Sequence, residues 1–197
     1  MTNSLKSSQS LNEQMLWNNF RAGDEVAFTQ LSKQFYKTLV HYGGKFTSNN
    51  QIIEDAIQDL LIKLWLRRSS LNEVESVKFY LLKAFRNQLF KTLQTFKAIP
   101  LEENFNDTLF EDSSETSLIE NEAFNSIHQK VSCSLQQLPE RQREILYLRF
   151  YQDLRVEEIA LLLQIKPQSV SNIIQRALIK LRENWEIIIP FLCWICS

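Results

Sequence analysis

The residues best suited to chemistry lie between Pro167 and Arg182. Gln168, Ser171, Asn172, Gln175 and Arg176 fall on or beside one side of a helix, near its N-terminal half. These side chains suit the edges of bases in a major groove: Asn and Gln pair two-pronged with adenine, Arg with guanine, and Ser with either. Val170, Ile173, Ile174, Ala177, Leu178 and Leu181 recur at spacings of three and four, the pattern of a helix that packs inward. Lys180 on the same helix, with Arg155 and Lys166 at two helix starts, supplies cations suited to phosphate. Taken singly, each polar residue is equally well explained by a solvated helix face, so the elements around it must decide.

Those elements are legible. Leu138-Pro139-Glu140 opens a bracing helix, with Pro139 at an early helical position and acidic Glu140 beside the positive end of the dipole. Ile145, Leu146, Leu148 and Phe150 follow at helical spacing. After a break at Gln152-Asp153, Glu157 and Glu158 start a short second helix with Ile159, Ala160, Leu162 and Leu163 as its inner face. Gln164 to Lys166 form a brief turn, and Pro167 restarts the chain as a third helix reaching about Trp185. Two helices joined by so short a turn, the second polar and basic outside, form the helix-turn-helix that lays a recognition helix in the major groove.

Leu138-Pro139-Glu140-Arg141-Gln142-Arg143-Glu144, Glu157-Glu158-Ile159-Ala160, Ser169-Val170, Arg176-Ala177 and Lys180-Leu181-Arg182 resemble region four of bacterial sigma factors. The short two-domain extracytoplasmic-function (ECF) group of the sigma-70 family is the nearest likeness. The resemblance implies that Ser171, Asn172, Gln175 and Arg176, with Gln168, face an upstream promoter element. Three positions depart from the family pattern: Arg155 and Lys166 stand where a capping Ser is usual, and Gln164 where the turn usually has Gly. A lost Ser cap costs on the order of 1 kcal/mol, and phosphate binding by Arg155 and Lys166 would offset it.

With 197 residues the chain suits one large domain or two small ones. Only 3 Gly and 4 Pro, with many three-and-four spacings, indicate an all-helical protein. No uncharged apolar run is long enough to span a bilayer. MTNSLKSSQSLNEQ lacks the apolar core of a secretion signal, so a cytoplasmic protein is expected. The net charge of -1 hides an uneven distribution. Residues 1–97 carry 13 Lys/Arg against 8 Asp/Glu, residues 98–127 carry 8 acids and no base, and residues 128–197 carry 9 bases against 7 acids. Basic segments flanking an acidic one fit a nucleic-acid partner.

The front half reads as one helical domain over 13–97, after a flexible, Ser- and Asn-rich stretch over 1–12. Trp17, Phe20, Phe28, Leu31, Phe35, Leu39 and Val40 are core candidates, Asp24 a helix start and Gly43-Gly44 a helix end. On the next helix, Gln51 to about Arg68, Ile53, Ile57, Leu60 and Leu64 form one apolar row. Ile62 and Leu66 lie on another row that also carries Asp55 and Asp59, so this helix has either two buried sides or a partner. A helix from about Val77 to Lys97 then interleaves Phe79, Tyr80, Phe85, Phe90 and Phe96 with Lys78, Lys83, Arg86, Lys91 and Lys97. Cations that follow phosphates and aromatic faces that stack on bases suit single-stranded DNA, although each of these aromatics alone is better explained as core.

Glu54-Asp55, Gln58-Asp59 and Lys63-Leu64-Trp65 are similar to the sigma region-two motif that grips core RNA polymerase, which implies a polymerase-facing surface of Asp55, Gln58, Asp59, Ile62, Lys63 and Leu66. Tyr80-Leu81 to Ala84-Phe85-Arg86-Asn87 resembles the segment that captures the melted downstream element. On that resemblance Asn72, Tyr80, Lys83, Arg86, Asn87 and Lys91 contact DNA, and the loop around Ser69 to Glu75 holds a flipped-out base. Phe85 replaces a residue that is often small in the family.

Residues 98–122 read as an acidic linker, and a helix from about Ala123 to Gln137 leads into the second domain, 123–185. The tail 186–197 is apolar but broken by Pro190, and Cys193 and Cys196 supply half a zinc site at most. No metal site and no cofactor are expected. Catalysis finds no support either: His41 and His128 lie in unrelated segments, and the 3 Gly do not build a phosphate loop. The resemblance implies core RNA polymerase and promoter DNA as partners and leaves room for an anti-sigma factor. A helix-turn-helix regulator acting without polymerase is the rival reading.

Overall fold

A computed structural model describes residues 2–96 and 134–186, with side chains over 11–95 and 134–182. The linker 98–122, most of the helix expected before Gln137, and the tail with its two cysteines lie outside the described residues. The chain divides into two units, Met1–Glu102 and Glu103–Ser197. Among the described residues both are built of helices without strands, the all-helical, two-domain class that the spacing predicts.

Unit 1 contains α1 (Thr2–Arg21), α2 (Glu25–Gly43), α3 (Asn50–Arg67), a single 3-10 turn (Arg68–Ser70) and α4 (Val77–Phe96). Residues 2–12, read from sequence as a flexible terminus, are helical in the structure. No Gly or Pro occurs before Gly23, so nothing in that polar stretch breaks the helix propagated from Trp17 and Phe20. Side chains close the helix starts. Asp24 Oδ1 accepts from the N–H groups of Val26 at 2.8 Å and Ala27 at 3.1 Å. Asn49 Oδ1 accepts from Gln51 at 3.0 Å, and Ser76 Oγ accepts from Phe79 at 3.1 Å.

The core of unit 1 is aromatic and tight. Trp17, Phe20, Phe35 and Tyr42 are buried beside Ile53, Ile57, Leu60 and Leu64 of α3. Phe28 packs between Phe20, at 5.2 Å, and Trp65, at 5.1 Å. Phe85, at the position where the family often has a small residue, is fully buried. Gly43 makes room for it: a Cβ added there would meet the Phe85 ring at 3.1 Å and Ile53 at 2.9 Å.

Unit 2 contains α5 (Glu140–Leu146), continued by a π-helical turn (Tyr147–Tyr151), then α6 (Val156–Leu163) and α7 (Pro167–Glu186). Ile145, Leu148, Ile159, Ala160, Leu162, Leu163, Val170 and Ala177 form its core. Phe150, within the π-helical turn, is 63 % exposed. One expectation needs correction. Leu178 is 44 % exposed: it lies one residue, about 100°, round the helix from Ala177, beyond the strip that α5 and α6 cover.

The turn between α6 and α7 passes through Gln164 at φ 56, in the left-handed region, with its N–H bonded to the Ala160 carbonyl. Ile165 N–H also donates to Ala160 O at 3.0 Å, and Lys166 O accepts from Ser169 at 2.9 Å and Val170 at 3.2 Å. This is the geometry that Gly adopts freely and that a side chain resists by about 1 kcal/mol.

Two stability outcomes follow. Gly43→Ala destabilises unit 1 by roughly 1–2 kcal/mol, the overpacking term outweighing the gain in helix propensity. Combining it with Phe85→Leu gives a less than additive loss, read by hydrogen exchange of α2 and α4 amides. Gln164→Gly raises the opening free energy of α6 and α7 amides by roughly 0.5–1 kcal/mol, and Gln164→Val lowers it.

Candidate nucleic-acid interfaces and a polar groove

The polar side of α7 stands in solvent. Gln168, Ser171, Asn172, Gln175, Arg176 and Lys180 are all exposed. Gln168 Nε2 donates to Asn172 Oδ1 at 3.0 Å, and Arg176 Nε donates to the Asn172 carbonyl at 3.2 Å. The row is thus braced turn to turn. Lys180 differs from the rest, because its ammonium donates to Gln137 O at 2.7 Å and ties α7 to the segment before the brace. Lys166 is exposed at the start of α7.

Arg155 precedes α6 with a guanidinium that has no lone pair and cannot accept from the helix amides. Glu158 supplies the reciprocal half of the cap. Its carboxylate accepts from Arg155 N–H at 2.7 Å and pairs with the guanidinium at 3.5 Å. Sequence reasoning did not single out Arg141, which joins the parts. Its Nη1 pairs with Glu144 at 3.1 Å and its Nη2 donates to the Leu163 carbonyl at 2.9 Å, capping α6 just before the turn. Its place in Leu138-Pro139-Glu140-Arg141, one turn ahead of a buried Glu144, is the only sequence signal for that role.

In unit 1 the loop 71–76 and the N-terminal half of α4 carry the second set. Asn72 is exposed, while its carbonyl accepts from Trp17 Nε1 at 3.1 Å. Tyr80 lies edge-on to Trp17 at 5.1 Å. Burial lifts the Tyr80 phenol above its ordinary value, against an opposing pull from Arg67, so it remains a neutral hydrogen-bonding group. Lys83 sits over Phe79 at 5.7 Å and Arg86 over Phe90 at 4.4 Å, each charge held on a ring of the same helix. Asn87 is exposed.

Asp55, Gln58, Asp59, Ile62 and Lys63 line an open groove walled on its far side by Gln88, Lys91, Thr92 and Thr95 of α4. Ile62 is 57 % and Leu66 71 % exposed, so this row of α3 is left outside the core. Gln88, buried, links the walls. Its Nε2 donates to Asp59 at 2.8 Å, and its Oε1 accepts from Lys63, which lies 3.9 Å from Asp59. Lys91, grouped from sequence with the strand-binding residues, shares this groove. Gln88 and Thr92 were missed; polar residues interrupting the inner strip of α4 were the available signal.

Among the described residues no three His, Cys, Asp or Glu cluster as for a metal ion, and no helix is long and apolar enough to cross a membrane.

Residues 31–95 match the family described as Sigma-70 region 2, and residues 128–181 match Sigma-70, region 4. None of the curated proteins matches the chain. Two solved structures are similar in fold. CnrH, in complex with the cytosolic domain of CnrY, is 17 % identical with a TM-score of 0.58, over 89 % of this chain and 98 % of that one. The sigma factor RpoE of Bartonella quintana, in complex with the anti-sigma factor NepR, is 18 % identical with a TM-score of 0.52, over 81 % of this chain and 97 % of that one. With both regions matched in order over most of the described residues, and with an all-helical fold in each unit, this chain belongs to the sigma-70 family of transcription-initiation factors, in its ECF group.

Proposed function

We propose that the chain binds core RNA polymerase through the exposed row of α3 and brings it to promoters whose upstream element is read by α7. Gln168, Ser171, Asn172, Gln175 and Arg176 contact base edges, while Arg155, Lys166 and Lys180 contact phosphates. Asn72, Tyr80, Lys83, Arg86 and Asn87 take the melted downstream strand, and Lys91 serves there or at the groove. The observation that carries this reading is the pairing, in one chain, of a helix-turn-helix with a solvent-facing recognition row and a second helical unit whose α3 leaves Ile62 and Leu66 outside its core. An apolar row framed by Asp55, Asp59 and Lys63 suits a protein partner better than water.

The family is non-enzymatic, and RNA synthesis belongs to the polymerase. The two similar structures hold CnrY and the anti-sigma factor NepR on their chains. By analogy, a protein of that kind restrains this chain until a signal releases it.

Run-off transcription with purified core polymerase tests the reading. The wild-type chain directs initiation at discrete start sites, and Ile62→Asp with Leu66→Asp abolishes co-purification with core while leaving duplex binding intact. Retained duplex binding without any association of the wild-type chain with core would convert it into a regulator that acts alone. Asn172→Ala and Arg176→Ala each weaken upstream-element binding by roughly 1–3 kcal/mol, measured by gel shift. Arg155→Ser with Lys166→Ser leaves sequence preference intact and lowers the salt slope of log K by about 0.9 for each phosphate that is no longer neutralised.

A further inference from the structure

The loop between α3 and α4 is held from outside by α1. Gln14 Nε2 donates to the Val74 carbonyl at 2.7 Å and to the Glu75 carbonyl at 2.9 Å. Trp17 Nε1 donates to Asn72 O at 3.1 Å, and Arg21 Nε donates to Leu71 O at 2.7 Å. Arg21 also lies 3.8 Å from the Glu73 carboxylate. Gln14, Trp17 and Arg21 are spaced three and four apart, so they form one row on α1. That row engages four of the five carbonyls of residues 71–75, a segment without secondary structure of its own.

We infer that α1 belongs to the strand-reading device, and that Gln14 and Arg21 are positioning residues that fix the loop for an unpaired DNA base. A loop whose carbonyls are bonded to a buried tryptophan and to side chains 50 to 61 residues away in sequence has lost most of its backbone freedom before any ligand arrives. Asn72 and Glu73 remain exposed on that fixed backbone. Binding a flipped base then requires little further ordering, and the geometry of the loop side chains, which distinguishes one base from another, is set in advance. Trp17 extends the support to Tyr80, so loop and α4 are aligned by the same residue.

This inference rests on the proposed role of the loop in holding the melted downstream strand, and the experiment separates the two. Holoenzyme assembled from core polymerase and the full chain is titrated with short labelled single-stranded DNAs carrying the downstream element, each base permuted in turn. The wild-type chain prefers one base at one position. Gln14→Leu and Arg21→Met each reduce that preference about fivefold, the scale of one net hydrogen bond. Arg21→Lys, which restores a donor and the charge, recovers it. Affinity for core polymerase and for the upstream duplex is unchanged in all three, which sets aside general unfolding. Unchanged base preference in both Gln14→Leu and Arg21→Met overturns the inference and leaves the loop's role standing. Absence of any base preference in the wild-type holoenzyme overturns the strand-reading role itself.

Discussion

Helix α3 lives in two environments at once, and unit 1 is arranged around that constraint. Ile53, Ile57, Leu60 and Leu64 are buried, at about 1.5–3 kcal/mol each, which anchors one face. The opposite row keeps Ile62 and Leu66 in solvent. A helix held from one side only needs close neighbours there, and Gly43 allows them: α2 gives up a side chain where Ile53 of α3 and Phe85 of α4 both approach it. The outer face is ordered too. Gln88 ties Asp59 and Lys63 to α4, so charges that would otherwise be mobile stand fixed beside the exposed Ile62.

Unit 2 meets a different problem, because α6 has only eight residues and could not persist as an isolated helix. The residues usual at such ends, a Ser before the start and a Gly after the end, are replaced by Arg155 and Gln164. Substitutes come from other positions: Glu158 caps the start in place of the residue before the helix, and Arg141 caps the end from α5, 22 residues away. The brace is therefore a hydrogen-bonding partner of the turn as well as an apolar support. Gln164 still occupies a left-handed conformation, a residual strain that its neighbours outweigh.

Helix order, the capping role of Asp24, the turn at Gln164–Lys166 and the two-sidedness of α3 and α7 were all legible, because each depends on spacing within a few residues. What escaped was either long-range or a departure from regular periodicity. The π turn over Tyr147–Tyr151, where Phe150 is exposed, has no signature in the spacing of apolar residues. Leu178 has the right type for the core, but it lies about 100° round the helix from buried Ala177 and is half exposed. Gln88, Arg141 and Gln14 are unremarkable polar residues in the sequence. Their partners lie 22 to 61 residues away, and no local pattern encodes such pairings.

The long-range bonds of Arg141 and Gln14 share one physical origin. Carbonyls at the end of a helix or in a loop must find donors, in water or in the protein. At Leu163 and at residues 71–75 the donors are side chains projected from a neighbouring helix, so the irregular backbone turns toward the protein. Side chains in the same segments are then free to point outward without the backbone competing for their hydrogen bonds. In unit 2 this fixes the angle at which α7 leaves the turn and so the direction of its polar row. In unit 1 it fixes a loop that has no regular structure of its own. A chain with only 3 Gly thereby builds two solvent-facing surfaces of defined shape, by satisfying the backbone from behind rather than by flexibility in front.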